Sequence, residues 1–82
     1  MNLYHIQWLD HYGRSEMQWG SFPDEEVPKP VTIHSVGYLK YETKDMYTLV
    51  PHYFTQEDGS VTGQGEINIL KCCVTKKKKL KV

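Results

Sequence analysis

Several things are missing from this 82-residue chain, and each absence removes a class of function. There is no net charge, since ten Lys and Arg balance ten Asp and Glu, so no global field draws it to DNA or RNA. No apolar run approaches the roughly 20 residues that span a bilayer. No basic start leads into an apolar stretch, which reads against a secretory signal peptide. Cysteine is limited to Cys72 and Cys73. Adjacent cysteines build no disulfide framework and are not a Cys-x-x-Cys pair, so a reducing cytoplasm is the default compartment.

Catalytic signatures are missing as well. There is no nucleophile elbow, no glycine-rich phosphate loop leading into a helix, and no paired-carboxylate motif. Ser35 adjoins His34, but neighbours in a strand point to opposite faces. His5, His11, His34 and His52 follow no zinc-binding spacing. The expectation is a protein that is not an enzyme and needs no metal or cofactor.

What is present suits strands. Aromatics make up 12% of the chain, including six Tyr and two Trp, and such residues pack well on pleated surfaces. LYHIQWLD (3–10) alternates Tyr4, Ile6 and Trp8 with His5 and Gln7. FPDEEVPKP holds three of the four prolines and reads as a crossover loop with at most one helical turn. VTIHSVGYLKYE (31–42) is the strongest strand, with Gly37 suggesting a bend or bulge. TKD turns the chain into MYTLVPHYF (46–54). Asp58-Gly59 marks a hairpin before VTGQGEINIL (61–70), in which Val61, Ile67 and Ile69 are expected to face inward. Gly63 and Gly65 there signal a second bend or a close approach of a ligand. Val31, Ile33, Leu39 and Leu49 are further core candidates.

About five strands, with turn signals roughly every 8–12 residues and no substantial helix, predict an all-β fold. The order, with a short break near residues 70–72 before a last strand, predicts one domain over 1–82, a small five-stranded SH3-like or Sm-like barrel. An OB-fold would need more residues and a helix.

The ending KCCVTKKKKLKV gathers six of the ten bases, while all ten acids precede Lys71. By simple alternation Val74, Lys76, Lys78, Leu80 and Val82 share one face, and Cys73, Thr75, Lys77, Lys79 and Lys81 share the other. Lysine on both faces describes an exposed edge strand. An anion-binding stripe is the functional alternative. Nothing accompanying the lysines points to a membrane surface.

Aromatics beside Lys and His are the ingredients for stacking a base and holding a phosphate. The candidate ligand-binding residues are Trp8, Trp19, Tyr38 and Tyr53 for stacking, with Lys71, His34 and His52 as phosphate donors. The segments 12–22 and 55–63 would close over the ligand. An oligomer interface uses the same aromatics.

The series W-L-D, W-G, V-x-I-x-S-V-G-Y-L, D-x-x-x-L-V-P-H, G-x-I-x-I-x-K and C-V-T-K-K-K-x-L resembles a group of small proteins from tailed-phage genomes. The likeness runs over nearly the whole chain and is carried by residues such as Trp8, Trp19, Ser35, Gly37, Pro51, Ile67 and Lys71. The group has no assigned chemistry, so no functional residue transfers. The resemblance implies a phage protein in the host bacterial cytoplasm, and by analogy an anti-defence role. On that expectation a homo-oligomer sequesters a nucleotide-derived immune signal, such as a cyclic nucleotide or a cyclic ADP-ribose variant. The alternatives are a module that docks on a host defence protein, and an Sm-like binder of RNA or single-stranded DNA.

Overall fold

The computed structural model describes residues 1–10 and 30–82. Trp19 and the 12–22 segment lie outside the described residues. Strand β1 (Leu3–Asp10) and strand β2 (Val31–Glu42) occupy the two predicted stretches. The predicted 46–54 strand divides into β3 (Met46–Val50) and β4 (His52–Thr55), and the 61–70 strand into β5 (Val61–Gln64) and β6 (Ile67–Leu70). A 3-10 turn at Lys71–Cys73 then leads to β7 (Val74–Leu80). Among the described residues the fold is all-β, with seven strands in two sheets rather than about five.

Both divisions have local causes. Pro51 has no N–H for a ladder, and the chain leaves the main sheet there. Gly65 sits at φ +78°, a conformation that glycine adopts without steric cost, and returns the chain to that sheet. The main sheet runs β6-β3-β2-β1-β7, and β4-β5 form a separate hairpin. At its tip Gly59 has φ +88°, and the Asp58 carboxylate accepts from the Ser60 N–H and hydroxyl.

Ile6, Leu49 and Ile69 form the centre of the core, with Tyr4, Trp8, Leu39, Tyr47 and Val74 packed around them. The expected inward set is partly corrected. Ile69 is buried, whereas Val31, Val61 and Ile67 are exposed. Val61 left the main sheet with the β4–β5 hairpin, and Ile67 and Val31 lie at the ends of their strands. Gly37 is not the bulge. The register shift lies between Leu39 and Tyr41, and Gly37 instead lets β2 and β3 approach. A Cβ there would lie 3.0 Å from the Val50 carbonyl oxygen and 3.1 Å from the Leu49 Cβ.

Among the described residues β6 and β7 are not hydrogen-bonded to each other, so the main sheet has two edges. It is nonetheless strongly curled. Lys77 on β7 donates from Nζ to the Tyr47 hydroxyl on β3 at 3.3 Å, although β2 and β1 lie between them in the sheet. The same ammonium stands over the rings of Tyr4 and Tyr47. Cation–π contacts of this kind contribute about 0.5–1 kcal/mol at exposed sites. No helix among the described residues is long and apolar enough to cross a membrane.

Candidate cationic face

The register of three strands decides which side chains meet. Directly paired residues in an antiparallel sheet project to the same face. Across β7, β1 and β2 the outer rows are Leu80–Leu3–Tyr38, Lys78–His5–Val36 and Lys76–Gln7–His34. The inner rows carry Lys79–Tyr4–Gly37 and Lys77–Ile6–Ser35. A register shift between Gln7 and Trp8 skips Thr75 and pairs Val74 with Trp8. It therefore corrects simple alternation: Val74 belongs to the core side and Lys76 to the outer face.

His5 and His34 are diagonal neighbours on the outer face. Their rings stack at 5.2 Å between centroids with planes 22° apart. His5 Nε2 lies 3.0 Å from His34 Nδ1, within hydrogen-bond reach. His34, Lys76 and Lys78 are exposed and His5 is half-buried. The three rows contain no carboxylate. Among the described residues, an arriving anion meets two ammonium groups and two imidazoles with no carboxylate in these rows to displace. The apolar row ending in Tyr38 borders this patch, and Tyr38 meets Tyr53 edge-on at 4.9 Å.

The other candidate residues fall elsewhere. Trp8 is half-buried, packs on the core, and donates from Nε1 to the Ser35 hydroxyl at 3.0 Å, so its ring is not an open stacking surface. Lys71 is held by Glu42, with Nζ 2.7 Å from Oε2, and stands over the Tyr47 ring. His52 lies on β4 beside Phe54 in a recess of about 290 Å³, with Nε2 3.4 Å from Gln64 Oε1. The 55–63 segment forms the β4–β5 tip and the strand after it. Of the proposed set, the structure brings Tyr38 and Tyr53 into contact and places His34 two rows from Tyr38 on the same face, while Trp8 and Lys71 are engaged elsewhere. His5, Lys76 and Lys78 are the additional members.

The Lys71 hydrogen bond holds the Glu42 carboxyl below its ordinary value of 4.5, and Glu42 in turn raises Lys71. The direction sets the pH dependence. A carboxylate whose pKa is depressed by folding stabilises the fold above its unfolded pKa, and that contribution disappears as pH falls through the lower, folded value. Glu42→Gln should therefore lower the urea midpoint slightly at neutral pH. The gap to the unmodified protein should close below about pH 4.5. The effect is small because the pair is open to solvent.

Comparison of the chain with protein-family models, curated proteins and solved structures gives no match.

Proposed function

We propose that this chain is a non-enzymatic binding protein that takes up a nucleotide-derived anion on the outer face of β7, β1 and β2. The observation that carries the reading is the carboxylate-free cluster of His5, His34, Lys76 and Lys78 beside Tyr38. Ammonium and imidazolium groups form charge-assisted hydrogen bonds with phosphate oxygens. A tyrosine at the margin offers a ring for a base. The biological use we infer is sequestration of a nucleotide-derived immune signal in the host bacterial cytoplasm. That setting rests on the resemblance to small tailed-phage proteins alone. The proposed architecture is an SH3-like barrel. It is supported by the β6-β3-β2-β1-β7 order, the tight turn before the last strand and the Lys77–Tyr47 contact across the curl. Homo-oligomerisation belongs to the same proposal.

Native mass spectrometry with cyclic mononucleotides, cyclic dinucleotides and cyclic ADP-ribose tests the proposal. Retention of one of these at fixed stoichiometry is the expected result. Retention of none would remove the small-ligand reading and favour docking on a host defence protein.

The lysine row favours a second reading. Lys76 and Lys78 are two residues apart on one face of β7, which places their Cα atoms about 6.7 Å apart, a distance suited to successive phosphates of a single strand. Binding of that kind weakens steeply with salt. A short oligothymidylate titrated at two salt concentrations distinguishes it.

A further inference from the structure

The 3-10 turn between β6 and β7 carries both cysteines, and neither belongs to the cationic face. Both are free thiols, Cys72 exposed and Cys73 half-buried. Their Sγ atoms lie 3.9 Å apart. Sequence neighbours are a poor disulfide pair. Their Cα atoms are held about 3.8 Å apart by a trans peptide, short of the roughly 4.4–6.8 Å that disulfides span.

The separation suits a metal ion better. At metal–sulfur distances of about 2.3 Å, two thiolates 3.9 Å apart subtend about 116° at the metal, near the tetrahedral angle. Soft thiolates select d10 ions such as Zn(II), Cd(II) or Cu(I). A closed site for a dication needs four ligands. Among the described residues no group of three or more His, Cys, Asp or Glu is placed to hold a metal. The described residues of one copy therefore offer two ligands, and the same pair from a second copy, related by a two-fold axis, supplies the other two.

We propose that Cys72 and Cys73 form half of a tetrathiolate site for a thiophilic dication, completed by the same turn of a second copy. The ion displaces four thiol protons and leaves a complex of net charge −2. The lysines of β7, which follow the turn directly, offset that charge.

Titration of the reduced full chain with Cd(II) tests this. Sulfur-to-cadmium charge-transfer absorbance reports thiolate ligation, and light scattering after gel filtration reports mass. The absorbance should saturate at one Cd(II) per two chains as the mass doubles. Cys72→Ser, at an exposed position, should lose both signals while keeping its far-ultraviolet circular dichroism. His5→Gln with His34→Gln should keep both, which excludes the stacked imidazoles as the ligands. No charge-transfer band would overturn the proposal, as would saturation at one ion per chain without a change in mass. Nucleotide retention by Cys72→Ser stays intact in either case, so this proposal and the cationic face stand or fall separately.

Discussion

Replacing Lys76 and Lys78 together with glutamate should reduce nucleotide retention by at least about 100-fold. A hydrogen bond to a charged group contributes about 1.5–3 kcal/mol, so two such bonds lost amount to two orders of magnitude or more. Reversed charge adds repulsion. The informative comparison is between single variants. Lys78→Glu and Lys79→Glu change the net charge equally, but Lys78 shares a row with His5 and Lys79 shares one with Tyr4 on the opposite face. Lys78→Glu should weaken binding sharply and Lys79→Glu should leave it near its original value. Equal losses in the two would mean that the whole lysine strand acts as a diffuse field, as expected for the single-strand reading.

Leu49→Ala should cost about 2–5 kcal/mol of folding stability. Leu49 is 1% exposed, lies at the centre of the core with Ile6 and Ile69, and faces Leu39 across β2 and Ile67 across β6. Its removal opens a cavity where three strands meet. A domain of this size has only about 4–12 kcal/mol in total, so a large share of the chains could unfold at ambient temperature. Urea denaturation followed by tryptophan fluorescence measures the loss, because Trp8 packs against this cluster. A loss under about 1 kcal/mol would mean that the site collapses onto the void and that the core centre lies elsewhere. Gly37→Val tests the same junction in the opposite sense. The added side chain meets the Val50 backbone, which cannot move aside as a flexible side-chain end would, and overpacking of this kind costs about 1–3 kcal/mol or more.

The elements that rest on local chemistry were legible. Tyr4, Ile6 and Trp8 alternating with His5 and Gln7 announced β1, and the β-branched run from Val31 announced β2. Asp58-Gly59 announced the hairpin. The division of the later strands was harder to see, because Pro51 reads equally as a strand end and as an edge position. Gly65 was ambiguous between a bend and a close approach. The φ of +78° at Gly65 gives it the bend, and the close neighbour at Gly63 is the Val50 side chain.

The cationic face depended on register, which alternation within one strand does not contain. Skipping Thr75 moves Val74 to the core side and leaves Lys76 outside. No residue type near Thr75 signals that shift. His5 read as a polar residue on the outer side of a strand. Its proximity to His34 exists only because Gln7 pairs with His34 and Val36 with His5. Trp8 drew attention as a large aromatic, but the same parity that makes β1 amphipathic turns it inward.

The most direct test of the cationic face is a map of amide chemical shifts during titration with whichever cyclic nucleotide the protein retains, and with pyrophosphate as a base-free probe. His5, His34, Val36, Lys76 and Lys78 should move together and saturate at a common concentration, with Tyr38 responding to the nucleotide and not to pyrophosphate. Shifts confined to Lys71, His52 or the core side of the sheet, with those five residues unmoved, would contradict it.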